Sequence, residues 1–142
     1  ANMEMKTLRP QAPSELTVTD VRIGRHEGFE RVVFELDGGG TPGWFVDYAD
    51  TPTQQGSGKT IDYSGETALN VNIDGVVYPF EAGKDDPRIG VVDAPTDGIV
   101  TQGVNGGTYE GRCQFVIGMT SRKPYSVQVL DNPTRLVVDI RD

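Results

Sequence analysis

One histidine, His26, and one cysteine, Cys113, bound the covalent chemistry open to this chain. Nucleophilic hydrolysis needs a nucleophile, a base and a group that orients the base. No serine stands in a nucleophile-elbow pattern, and His26 falls in a glycine-flanked turn beside Arg25 and Glu27. A Cys113–His26 pair can be drawn on paper. However, Cys113 alternates with Phe115 and Ile117, which predicts a buried, inert thiol. One Cys and one His cannot close a tetrahedral zinc site. Residues 56–60 (GSGKT) resemble part of a phosphate loop, but the position where the full pattern needs its first Gly holds Thr53, and no helix pattern follows. A polar hairpin loop is expected there. Asp85, Asp86, Asp93 and Asp97 share a loop-rich stretch without the spacing of a twelve-residue calcium loop. Nor does any spacing single out two of the 21 acidic residues as a glycosidase pair. We therefore assign no catalytic residue, no metal ligand and no cofactor, and expect a chain that is not an enzyme.

Residues suited to non-covalent recognition are more visible. Trp44, Phe45 and Tyr48 fall within five positions, with Tyr63, Tyr78 and Tyr109 elsewhere. An aromatic ring beside polar groups is a common way to hold sugars and peptides. Alternation places Trp44, Val46 and Tyr48 on one strand face and Phe45 and Asp47 on the other, and one of these rows must be core. Trp44, Tyr48 and Tyr109 are candidate ligand contacts. Arg31 and Arg135 join them, because a guanidinium on a polar strand face can hold a carboxylate. The plainer alternative is that each pairs with its own nearby acid, Glu35 or Asp139.

The elements that must position these residues are strands. Eighteen Gly and nine Pro divide the chain into short pieces. Period-two patterns predict strands over 16–24, 29–36, 44–48, 60–63, 69–73, 99–103, 114–119, 125–130 and 135–140. Residues 75–98 carry Pro79, Pro87 and Pro95 and read as a long excursion with at most a helical turn. Leu69, Val71 and Ile73 alternate with Asn70, Asn72 and Asp74, as in a half-buried strand turning its Asn residues to solvent. The same run, free of Pro and Lys, is a candidate sheet edge for pairing with a partner strand. Residues 28–36 (GFERVVFEL) also echo residues 132–140 (NPTRLVVDI), each following another strand. About nine short strands with two similar hairpins predict an all-β sandwich with approximate internal two-fold symmetry. In each hairpin the Arg and the acid share the polar face.

A chain of 142 residues buries about 70% of its unfolded surface and needs no staple. Residues 1–14 lack periodicity and read as a flexible tail, leaving 15–142 as one domain. A mean hydropathy of −0.39 and no apolar run near ~20 residues argue against membrane insertion. A net charge of −8 repels phosphate backbones, so nucleic acid is not an expected partner.

Residues 125–140 (YSVQVLDNPTRLVVDI) resemble the hallmark of AMIN domains, β-sandwich modules of bacterial envelope proteins. The segment 20–36 is similar to that family's opening hairpin. With residues 56–60 and 106–111 between those ends, the chain looks closest to the AMIN-like domain of actinobacterial secreted proteins and lipoproteins. This resemblance implies a symmetric sandwich without catalytic residues. It also implies an exported domain, in the cell envelope or outside the cell, with lipid anchoring through a removed N-terminal segment as one route. The implied partner is cell-wall peptidoglycan or an attached glycan, or alternatively an envelope protein bound by edge-strand pairing.

Overall fold

The computed structural model describes residues 1–9, 14–95 and 98–142. Among them ten strands form two antiparallel sheets. In chain order these are β1 (Lys6–Leu8), β2 (Glu15–His26), β3 (Phe29–Gly39), β4 (Gly43–Ala49), β5 (Thr67–Asp74), β6 (Val91–Asp93), β7 (Val100–Tyr109), β8 (Arg112–Met119), β9 (Tyr125–Leu130) and β10 (Arg135–Arg141). A single turn of 3-10 helix, Pro79–Ala82, interrupts the long excursion. One sheet has the order β2-β3-β10-β9, and the other β1-β4-β5-β8-β7-β6. The all-β sandwich expected from the sequence is the fold observed.

Alternation explains the core. Val32, Phe34 and Leu36 of β3 and Leu136, Val138 and Ile140 of β10 are buried on the inner face of the four-stranded sheet. They meet Val46, Leu69, Val71, Ile73, Phe115, Ile117 and Met119 from the six-stranded sheet. Two buried polar groups fasten the layers. The Glu30 carboxylate accepts the backbone N–H groups of Ile99 and Val100 at 2.8 and 3.0 Å, and the Tyr125 hydroxyl donates to the Val46 carbonyl at 3.0 Å.

The two echoing hairpins lie side by side, with β3 and β10 adjacent and antiparallel. Val33 faces Val137 at the local two-fold, so Arg31 faces Asp139 and Arg135 faces Glu35. The equivalent turn residues Gly28 and Asn132 both take positive φ, 84° and 61°. Gly and Asn are the residue types that enter that region most easily. The register is symmetric, but the ion pairs are not. Arg31 makes a two-pronged pair with Asp139 at 2.7 and 3.0 Å. Arg135 instead donates to the carbonyls of Asp131 and Pro133, while Glu35 pairs with Arg22. Of the two pairings expected along single strands neither forms, and Arg31 reaches across to the other hairpin instead, because facing residues in the ladder lie closer than residues four apart on one strand.

Three further expectations change. Residues 6–8, placed in the tail, form β1 against β4, and residues 10–13 lie outside the described residues. Residues 60–63 contribute only an isolated bridge, Thr53 to Thr60, instead of a strand. The run Leu69–Ile73 is not a sheet edge, because β5 sits between β4 and β8. Its Asn residues do not face open solvent either. Residues 50–66 cross the outer face of the six-stranded sheet and pack Ile61 on Ala68 and Val116. Beneath them Asn72 and Gln114 are only 4% and 2% exposed. Asn72 donates to the Phe45 carbonyl, and Gln114 donates to the Thr53 carbonyl and the Asn70 side chain.

Candidate functional site

The five candidate contacts fall in three places. Trp44 and Tyr48 lie on the inner face of β4 and pack against the core. The Tyr48 ring meets Tyr125 edge-on at 5.7 Å, and its hydroxyl donates to the Lys123 carbonyl at 2.6 Å. Burial raises the Tyr48 hydroxyl above its ordinary pKa. This settles which row of the aromatic strand is core, and it leaves neither ring as an open platform. Arg31 and Arg135 lie on the outer face of the other sheet. The Arg31 guanidinium is engaged by Asp139, whose hydrogen bonds push its pKa up. Arg135 has no carboxylate within ion-pair distance among the described residues.

Tyr109 is the candidate that stands at a recess. It ends β7, just before the turn Glu110–Gly111, and 45% of its surface is exposed. Glu110 and Gly111 both take positive φ, which sets a tight turn directly after it. Two hollows, about 170 and 320 Å³, flank it and share Gln55 and Tyr109 in their walls. The first is lined by Gln54, Gly56, Ser57, Gly106 and Thr108, and the second by Asp74, Glu110 and Arg112. Gly56 lets the loop lie close against the ring, since a Cβ there would sit 3.0 Å from Tyr109 Cδ2 and the ring would have to shift. Ser57 donates to Gln54 at 2.7 Å, and Arg112 holds Asp74 through two bonds at 2.5 and 3.2 Å. Behind the first hollow, Gln114 Oε1 is buried without a hydrogen-bond partner among the described residues. It would lie 3.1 Å from a Cβ placed on Gly106. The recess therefore combines one aromatic face, several side-chain amides and hydroxyls, and a compensated ion pair. Such a set can stack on a sugar ring and exchange hydrogen bonds with its hydroxyls.

The turn containing Tyr109 and the turn leading to Arg135 share one end of the sandwich. Gly75 accepts from Leu16 and donates to Gly111, and Leu36, close by in the β2–β3 ladder, donates to Thr134. The opposite end carries His26, stacked on Phe29 at 4.9 Å. Cys113, near the Tyr109 turn, is thus separated from His26 by the length of the sheets, and no dyad forms. Its thiol is 4% exposed, and burial pushes its pKa up to about 11.

Residues 56–60 form the expected polar turn, with Gln54 donating to Lys59 and Gly58 to Gln54. No three His, Cys, Asp or Glu residues among those described converge as a metal site, while Asp97 lies outside them. A further cleft of about 240 Å³ opens between β2 and β7, lined by Val18, Val76, Tyr78, Ile89, Cys113 and Phe115. Its flanking polar groups are already engaged: Asn105 donates to Ile89, and Tyr78 to Thr108. Sequence reasoning missed Gln55, Gly56 and Arg112. Their convergence on Tyr109 depends on contacts more than fifty residues apart for Gln55 and Gly56, and no local pattern announces it.

The family model of the AMIN-like domain matches residues 16–142, nearly the whole chain. The chain belongs to the AMIN-like domain family. That membership fits a two-sheet module carrying a polar surface recess, and it links the chain to the cell-wall-associated binding modules of exported envelope proteins. No curated protein and no solved structure matches this AMIN-like chain. No helix among its described residues is long and apolar enough to cross a membrane.

Proposed function

We propose that this AMIN-like domain is a non-catalytic module of an exported protein, anchored or free, that contacts cell-wall glycan through the recess around Tyr109. The observation that carries the reading is the half-exposed Tyr109 ring between two polar hollows, in a chain whose family is one of cell-wall-associated binding modules. Tyr109 supplies the stacking face, while Gln54, Gln55 and Ser57 supply exchangeable hydrogen bonds. Arg135, at the same end and without an ion-pair partner among the described residues, holds a carboxylate of a wall peptide. Trp44 and Tyr48 drop out of the site, and Arg31 acts through Asp139 as a brace between the hairpins.

Co-sedimentation with isolated bacterial sacculi tests this reading. The expected result is saturable binding that weakens about tenfold or more in Tyr109→Ala, in line with a stacking contact worth roughly 1.5 kcal/mol. A smaller loss is expected in Arg135→Ala and none in Arg31→Ala. Binding that ignores Tyr109→Ala moves the site elsewhere, and no binding to any sacculus ends the wall-ligand reading.

A further inference from the structure

Four strands end the two sheets, and three of them are guarded. β1 and β6 have three residues each. β2 carries Arg22 and Arg25 and a bulge between Val18 and Asp20, and its first residues are sealed by the backbone of Gly75 and Val77. Short length, charge, bulges and covering segments are the usual means by which sheet edges avoid pairing. β9 has none of them over most of its length. Its six residues (YSVQVL) include no charge and no Pro, and its pairing with β10 is regular.

The hydrogen-bonding parity of β9 follows from one bond. Arg141 donates to the Pro124 carbonyl, so in antiparallel alternation Ser126, Gln128 and Leu130 point their backbone groups at β10. Tyr125, Val127 and Val129 point theirs outward. Tyr125 confirms it, because its outward N–H is taken by the Asn2 carbonyl at 2.9 Å in an antiparallel bridge. Beyond that bridge, the outward groups of Val127 and Val129 have no partner among the described residues. The edge thus already seats one extended backbone and stops.

We propose that the β9 edge is a docking site for an extended segment of a partner protein, which adds to the four-stranded sheet as a fifth strand. This does not depend on the glycan reading, since β9 and the Tyr109 recess lie on different sheets. The occupant fitted to it has small or β-branched residues at alternate positions, to cover the half-buried Val127 and Val129. It is neutral or basic, because the domain carries a net charge of −8. A second copy of this chain fits less well. Two such copies repel, and a six-residue edge contributes little of the roughly 1,000 Å² that a stable interface needs.

The test is hydrogen exchange by NMR with a defined probe, a soluble heptapeptide of alternating valine and threonine flanked by lysines. With peptide at about ten times its Kd, exchange at the Val127 and Val129 amides is expected to slow about tenfold. Ser126 and Gln128, already bonded to β10, should change little. The same peptide N-methylated at its domain-facing positions should give no protection. Three results overturn the proposal: unchanged exchange at Val127 and Val129 at millimolar peptide, equal protection by the N-methylated peptide, or protection in the free protein that rises with concentration alongside a dimer mass in light scattering. The last assigns the edge to a second copy.

Discussion

Cys113 shows how far one side chain can be read and tested. Its alternation with Phe115 and Ile117 announces burial, and the fold delivers it. The thiol is an acid whose folded pKa, about 11, lies above the unfolded value of 9.0. The native state therefore keeps a proton that the unfolded chain releases, and stability falls as pH rises from 9 to 11 by about 2 kcal/mol from this group. Urea unfolding across that range should show the decline, and Cys113→Ala should flatten it by about that amount. If the variant falls as steeply, the thiol is not held in its neutral form. Tyr109 marks the opposite case. Nothing beside it in sequence says that Gly56 will lie against its ring, since exposure there is decided by a contact 53 residues away in the chain.

Strands with strict period two were legible as elements, and β3 and β10 most of all, because one face of each is buried and the other is not. The short strands β1 and β6 were not, for three residues hold no period and form only because β4 and β7 offer them a ladder. The rank of a strand within its sheet was equally hidden. Leu69–Ile73, free of Pro and Lys, reads as a possible edge, yet β5 lies between β4 and β8, and the covering segment 50–66 makes its Asn amides internal as well. The paired hairpins give a prediction at this scale. Arg31 bridges them through a half-buried, two-pronged bond to Asp139, whereas its counterpart Arg135 only holds its own turn. Arg31→Ala should thus cost about 1–2 kcal/mol in chemical denaturation and Arg135→Ala under about 0.5, despite the sequence symmetry. Equal losses would mean that the asymmetry of the ion pairs carries no energy.

At the scale of the whole molecule, the net charge of −8 acts on both proposed surfaces with opposite sign. Raising salt from 0.01 to 0.15 M shortens the screening length from about 30 to about 8 Å. Binding to sacculi bearing anionic polymers should therefore strengthen, and binding of the lysine-flanked peptide should weaken; parallel titrations of sedimentation and NMR shifts read both. The order of assembly is set at the same scale. The four-stranded sheet takes β2 and β3 from the beginning of the chain and β9 and β10 from its end, with most of the other sheet encoded between. Even Asn2 waits for Tyr125. Pairings so distant along the chain favour slow folding. During vectorial synthesis, β3 keeps one open edge until Arg135–Arg141 has left the ribosome, and no N-terminal fragment that stops short of that strand can complete the sheet.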